Sequence, residues 1–266
     1  MMKKSDNKKS GKNKIVNVPI CRKCNVLLTD ENWYPSHKRK HDYICKECKI
    51  KCVKKWKQNN RDKHNQSNRK SNHLLRDDVI EEYGGVCACC GEPRKEYLTI
   101  DHVEGNGGKH LRELGLKGGD QFYRWLGQNN YPKGFQVLCF NCNLAKGSYS
   151  ICPQSEEFQM LFDKKLKQSY SARHTWNLRL DTIKAYGGKC QLCGESNPYF
   201  MSIDHVYGDG AKERKITGSG VVLYRKLKNE GYPKDRYRLL CYNCNCALGH
   251  GRITEEEILH QNKKEK

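Results

Sequence analysis

The sequence is short of apolar residues. Only 36% of its 266 positions are hydrophobic, against 30% charged. That supply is thin for one large core, and it favours several small modules held by something besides apolar burial. No apolar run approaches the roughly 18–20 residues needed to cross a bilayer, so no membrane partner is expected. The polar, basic start (1–14) has no apolar stretch behind it, so no signal peptide is expected either. These absences point to an intracellular protein, cytoplasmic or nucleoid-associated. Acid is also scarce: 30 Asp and Glu face 50 Lys and Arg, for a formal net charge of +20. Such a surplus calls for a polyanionic partner, of which DNA is the expected one.

Cysteine, by contrast, is plentiful. Twelve of the 16 cysteines fall into six Cys-x-x-Cys pairs. In a reducing compartment paired cysteines are more often metal ligands than disulfides. One such turn places two sulfurs on a metal, and two turns complete the four-thiolate shell that zinc prefers. The expected groupings are Cys21, Cys24, Cys45, Cys48; Cys87, Cys90, Cys139, Cys142; and Cys190, Cys193, Cys241, Cys244. Four thiolates leave no open position, so each Zn2+ should hold the fold and do no chemistry. With three such groups metallated the net charge is still about +14. Cys52, Cys89, Cys152 and Cys246 are left over, and Cys89 aligns with Leu192, which argues against a ligand role.

The chain repeats itself. Residues 83–92 (YGGVCACCGE) recur at 186–195 (YGGKCQLCGE). Ile100-Asp101-His102-Val103 recurs as Ile203-Asp204-His205-Val206, and Leu138-Cys139-Phe140-Asn141-Cys142-Asn143 as Leu240-Cys241-Tyr242-Asn243-Cys244-Asn245. The order of the blocks is kept, as in a duplication. Each copy opens with an amphipathic helix: Leu75, Val79, Ile80 and Tyr83 share a face, as do Leu178, Ile183 and Tyr186. A short strand is expected around 97–100 and 200–203. A glycine-rich bend follows, then a helix near 121–126 or 223–228, and a last helix after the second cysteine pair. Phe158, Leu161, Phe162 and Leu166 suggest a helix between the copies.

Between the cysteine pairs of each copy stands Asp-His, and directly after the last cysteine stands Asn. Hydrolysis of a phosphodiester needs a base for the attacking water and positive charge near the leaving oxygen. An imidazole titrating near neutrality suits the base, here His102 and His205. A hard cation such as Mg2+ takes oxygen ligands, which Asp101 with Asn143, and Asp204 with Asn245, could supply. Each residue also has a plain reading: Asn143 could cap a helix, and Asn141 and Asn243 could shape the turn.

The order Cys-x-x-Cys, Asp-His, Cys-x-x-Cys-Asn resembles the HNH, or ββα-metal (His-Me finger), endonucleases. It is most similar to their zinc-stapled branch, which includes phage recombination nucleases and free-standing phage enzymes. A zinc ribbon ahead of such a core is also similar to a rare-cutting restriction enzyme layout. The resemblance implies a fold of small α+β modules: an N-terminal zinc ribbon followed by two tandem zinc-stapled ββα-metal domains. It implies a basic tail without structure at 1–15, the ribbon with a basic helical arm at 16–72, domains at 73–153 and 176–258, a helical linker at 154–175 and a tail at 259–266. It implies a DNA endonuclease with the base, metal and amide roles given above, acting as a monomeric pseudo-dimer that cuts both strands, of phage or mobile-element type. A non-catalytic zinc protein that binds nucleic acid, and a branched-DNA resolvase, remain open beside it.

The family's middle asparagine is replaced here by Gly134 and Arg236. His110 has Glu213 at its offset, is expected to be exposed, and marks drift of the second copy. Lys54, Lys55 and Trp56 on the arm, with Lys146, are expected to meet DNA, and Arg124 and Arg225, which recur in both copies, either to meet DNA or to brace the fold.

Overall fold

The computed structural model describes residues 19–218 and 220–264, so the tail expected at 1–15 lies outside the described residues. The chain divides into two compact units, one up to Lys70 and one from Ser71 onward. Among the described residues no helix is long and apolar enough to cross a membrane.

The first unit is small. Ile20 and Leu27 form an isolated bridge around the first cysteine turn. Trp33 is buried with Leu28, Cys21 and Cys45, and its indole donates to the Asp42 carbonyl at 2.8 Å. Helix α1 (Pro35–Arg39) is one turn. Helix α2 (Lys46–Asn59) begins at Cys45 and carries the basic arm. The arm does not continue as one rod: Asn60 is non-helical, and α3 (Arg61–Glu82) starts after it.

In the second unit, the late part of α3 opens the first repeat. Val79 and Ile80 are fully buried, as the periodicity required. Arg76 also turns inward and donates to the Lys95 and Leu98 carbonyls. Its repeat partner, Arg179, donates to the Pro198 and Met201 carbonyls. Each arginine ties its opening helix to a 3-10 turn, Lys95–Tyr97 or Pro198–Phe200, and to the residue that follows it.

Strand β1 (Leu98–His102) pairs antiparallel with β2 (Phe135–Cys139), and β3 (Met201–His205) with β4 (Tyr237–Cys241). The first strand of each pair begins one residue later than expected and includes Asp-His at its end. The second strand of each pair was not foreseen. Between the strands of the first repeat lie α4 (Gly107–Glu113) and α5 (Asp120–Gln128); between those of the second lie α9 (Gly210–Thr217) and α10 (Val221–Asn229). The glycine-rich bend is therefore mostly a short helix in each copy. Its glycines sit at the start of the helix, where they cost little. The strands run directly into α6 (Phe140–Tyr149) and α11 (Tyr242–Gly249).

Helices α7 (Phe158–Gln168) and α8 (Tyr170–Ala185) join the repeats, and α8 starts ahead of the boundary expected at 176. Phe158 and Phe162 pack against Tyr149 and Tyr199. Helix α12 (Glu255–Lys264) corrects the expected tail at 259–266 as far as Lys264: buried Ile258 anchors it in the second core. Residues 265 and 266 lie outside the described residues.

The repeats are not separate bodies. The 3-10 turn of each packs on the last helix of the other, α11 or α6. Tyr97 of the first repeat is buried in the core of the second, its hydroxyl 3.9 Å from Cys244 Sγ. Asn141 Oδ1 accepts from the Asn243 N–H at 2.9 Å, and Asn243 Oδ1 accepts from the Asn141 N–H at 2.8 Å. Both N–H groups lie in the first turn of a helix, where no carbonyl of that helix can reach them. Each asparagine thus caps the other repeat's helix, a role the sequence reading confined to its own turn. The contact is reciprocal, as across an isologous interface. Replacing either residue (Asn141→Ala or Asn243→Ala) strands a buried donor. The expected loss is about 1–3 kcal/mol, read as a lower urea midpoint for the metallated protein. An unchanged midpoint would refute this capping role.

Candidate metal centres and active site

Three four-cysteine groups form as the pairing predicted: Cys21, Cys24, Cys45, Cys48; Cys87, Cys90, Cys139, Cys142; and Cys190, Cys193, Cys241, Cys244. In each, all sulfurs lie within 4.8 Å of one another. Across the turns Cys24–Cys45, Cys90–Cys139 and Cys193–Cys241 the sulfurs are 3.7, 3.7 and 3.6 Å apart. A disulfide needs about 2.05 Å. A tetrahedron with bonds of about 2.3 Å to zinc has edges of about 3.8 Å. The spacing therefore fits one four-coordinate ion per group and excludes bonding between these sulfurs.

A shared local pattern builds the groups. In the first pair of each, the residue after the second cysteine has positive φ: Asn25, Gly91 and Gly194. This left-handed step lets the chain fold back, as in the Gly91 N–H to Cys87 O bond at 2.9 Å. In the second pair the leading cysteine is a helix N-cap. Cys45, Cys139 and Cys241 each accept through sulfur from the N–H three residues on. Helix start and ligand turn are one structure.

A further sulfur group was not foreseen. Cys89, Cys142 and Cys152 also lie within 4.8 Å of one another, with Cys89 and Cys152 Sγ 3.1 Å apart. The cue was Cys89 itself, present in only one copy. Among the described residues Cys52 and Cys246 join no such group.

In the first repeat Asp101, His102, Asn143 and Lys146 line one open cavity of about 670 Å³. Asp and His end a strand, so they leave it on opposite sides. Asp101 Oδ2 accepts from Gln136, its neighbour across the sheet, at 2.8 Å and from Lys146 Nζ at 2.6 Å. Lys146 was expected to face a DNA phosphate; it is half-buried and tied to Asp101 and to the carbonyls of His102 and Val103. The His102 ring stacks on Phe122 at 5.3 Å and meets Phe135 edge-on at 4.8 Å. Its Nε2 lies 2.9 Å from His110 Nδ1. Its Nδ1 faces Gly107, where a Cβ would come within 2.8 Å, so only glycine fits there. Burial, then the His110 and Lys146 charges, push the His102 pKa below its usual value, with Asp101 opposing.

The second repeat follows the same plan with different partners. His205 Nε2 lies 2.6 Å from Glu213 Oε2, and its Nδ1 faces Gly210 as His102 faces Gly107. Glu213 is buried, which opposes its charge. Hydrogen bonds from Lys226, Tyr237 and His205 outweigh that and pull its pKa down to about 2. Asp204 Oδ2 accepts from Arg238 Nε at 2.7 Å, and Arg238 also binds Glu255 at 2.6 Å. Arg238 stands at the strand position of Gln136, while Leu248 replaces Lys146. Each carboxylate keeps one cation, delivered by a different element. Asn245 donates its amide nitrogen to Ser202 Oγ at 2.9 Å.

One expectation is corrected here. His110 is half-buried among Phe122, Trp125 and Phe135 rather than exposed, and Glu213 takes the equivalent place beside His205. At Gly134 and Arg236 the main chain braces the loop. Val103 N–H donates to Gly134 O at 3.1 Å, and Val206 N–H to Arg236 O at 3.0 Å.

Of the residues expected to meet DNA, Lys54, Lys55 and Trp56 are exposed on α2, and Arg124 and Arg225 are exposed on α5 and α10. Lys49, Lys54, Lys57 and Arg61 line a groove of about 910 Å³ in the first unit, with no carboxylate among its lining residues.

Neither the family models nor the curated proteins nor the solved structures searched contain a match to this chain.

Proposed function

We propose that this chain is an HNH-type DNA endonuclease: a zinc ribbon with a basic arm, then two zinc-stapled nuclease repeats. The observation that carries the reading is the first-repeat cavity. The carboxylate and imidazole of adjacent Asp101 and His102 line one open cavity with the amide of Asn143, which is distant in sequence. Around it, the zinc-ready cysteine turn sets the position of Asn143, and the strand end sets Asp101 and His102.

In this reading His102 takes the proton from the attacking water, and its depressed pKa keeps it neutral for that task. The stack on Phe122 and the contact with His110 hold the ring in place. Lys146 places a positive charge beside the cavity, where negative charge builds on the phosphate. Asp101 and Asn143 form the donor set, one carboxylate and one amide oxygen beside an open cavity, that suits a hard divalent cation. Mg2+ held there would stabilise the departing oxygen. His205, Asp204 and Asn245 take the same roles in the second repeat. The exposed Lys54, Lys55 and Trp56, and the carboxylate-free groove beside them, supply sequence-independent DNA affinity.

One observation favours a rival. Both aspartates are already neutralised from within, by Lys146 and by Arg238. A protein that only binds nucleic acid would need no free carboxylate. Supercoiled plasmid separates the two readings. The nuclease converts it to nicked and linear forms when Mg2+ is added to zinc-loaded protein, and does nothing when Mg2+ is left out. Retarded but intact plasmid at every Mg2+ concentration would replace the nuclease with the binding protein.

A further inference from the structure

We propose that the residue eight positions after each histidine, His110 in the first repeat and Glu213 in the second, is a positioning residue that binds imidazole Nε2 and leaves Nδ1 as the nitrogen that receives the proton from water. The inference rests on the nuclease reading above for its catalytic consequence, though not for its geometry.

The geometry occurs twice. His102 Nε2 lies 2.9 Å from His110 Nδ1, and His205 Nε2 lies 2.6 Å from Glu213 Oε2. The side chains differ, yet the spacing, the helix that supplies the partner and the ring atom engaged are all the same. Helices α4 and α9 begin at Gly107 and Gly210, against which each Nδ1 is set. One short helix thus passes under Nδ1 with a glycine and returns a partner to Nε2 a turn later. A random surface contact would not survive a change of residue type from imidazole to carboxylate at the same site.

The chemistry follows from what each partner can do. An ionised Glu213 has no proton to give, so His205 Nε2 must donate and the lone pair of the neutral ring falls on Nδ1. Lys226 and Tyr237 both donate to Glu213, which keeps it ionised and fixed. In the first repeat the same tautomer of His102 follows when a neutral His110 accepts through Nδ1 and keeps its own proton on Nε2. Asp101 and Lys146 are the charged groups beside His102, and neither is hydrogen-bonded to its ring. The arrangement is a base oriented by a third group, the logic of a hydrolase triad. It takes over ring orientation where the family asparagine is absent.

The test uses the zinc-loaded, 15N-labelled full chain and reads histidine ring nitrogens by NMR, together with plasmid cleavage. In the wild type both His102 and His205 should show protonated Nε2 and bare Nδ1. His205 should add a far-downfield N–H proton from its bond to the carboxylate. Glu213→Gln keeps the shape and removes the charge: that proton should be lost, and cleavage by the second site, measured with His102→Ala, should fall about 10²-fold in kcat with KM held. Glu213→His, which copies the first repeat, should restore most of the rate, and His110→Glu should be tolerated where His110→Ala is not. A wild-type His205 protonated on Nδ1, or ring nitrogens unmoved by Glu213→Gln and His110→Ala, would overturn the inference whatever the plasmid shows. Tautomers as expected in a wild type that cuts nothing would overturn the nuclease reading alone.

Discussion

Stripping the thiolate-bound metal should unfold both repeats together. A structural zinc ion in a small module contributes about 10–16 kcal/mol of apparent binding free energy at neutral pH. The whole stability of a typical domain is about 5–15 kcal/mol. Here the metal has little apolar burial to fall back on: each repeat is built on a two-stranded sheet, and a single pair of strands is marginal alone. The cysteines also hold the two ends of each motif. Cys139 and Cys241 are at once the last residue of a strand, a helix cap and a member of a four-cysteine group. Loss of one group would therefore free a strand, a helix start and Asn143 or Asn245 together.

The reciprocal Asn141–Asn243 caps and buried Tyr97 then carry the disturbance to the other repeat. We expect about three zinc ions per chain in the purified protein, one for each four-cysteine group. A thiol-competing chelator should release them with loss of far-UV helix signal in a single transition across the second unit. Cys241→Ser should lower the melting point of the first repeat as well as its own. A helix signal and melting curve that survive metal removal would show that these sulfurs do not hold the fold.

The second large effect concerns the two histidines. His102→Ala or His205→Ala should each abolish cutting by one repeat, a loss of about 10²–10⁴-fold at that site. Wild-type protein should carry plasmid through to the linear form, each single variant should stop at nicked circles, and the double variant should leave plasmid supercoiled. The two single variants should not be equal. Arg238 is held on Asp204 by Glu255, whereas Lys146 reaches Asp101 on a flexible stem and can swing aside for a cation. The first site should therefore be the faster, and His102→Ala the more damaging change.

The pH profile follows from the same site. The base acts when deprotonated, and burial above all lowers the His102 pKa. In the His205→Ala variant the acid limb of cleavage should lie below the value of about 6.5 for a free imidazole. A double variant that cuts at the wild-type rate would remove the histidines from the chemistry.

The primary sequence alone determined the parts that depend on ligand chemistry and short spacing. A Cys-x-x-Cys turn presents two sulfurs to one metal whatever surrounds it, so three of the sulfur groups could be read from cysteine positions. The duplication and the order Asp-His, Cys-x-x-Cys, Asn were equally plain, as were the buried faces of the opening helices. Tertiary structure decided what lies between them. Strands β2 and β4 escaped notice because their residues are told apart from the following helix only by pairing with a distant strand. Helices α4 and α9 were read as bends because glycine is a poor helix former. Packing under the histidine demands glycine at the helix start, and with those helices went the partners His110 and Glu213. Lys146 on Asp101, Arg238 on Asp204 and the crossed asparagine caps join residues 34 to 102 positions apart. Local propensity carries no record of such contacts. They arise only when distant parts of the chain are folded against each other and every buried donor must find an acceptor.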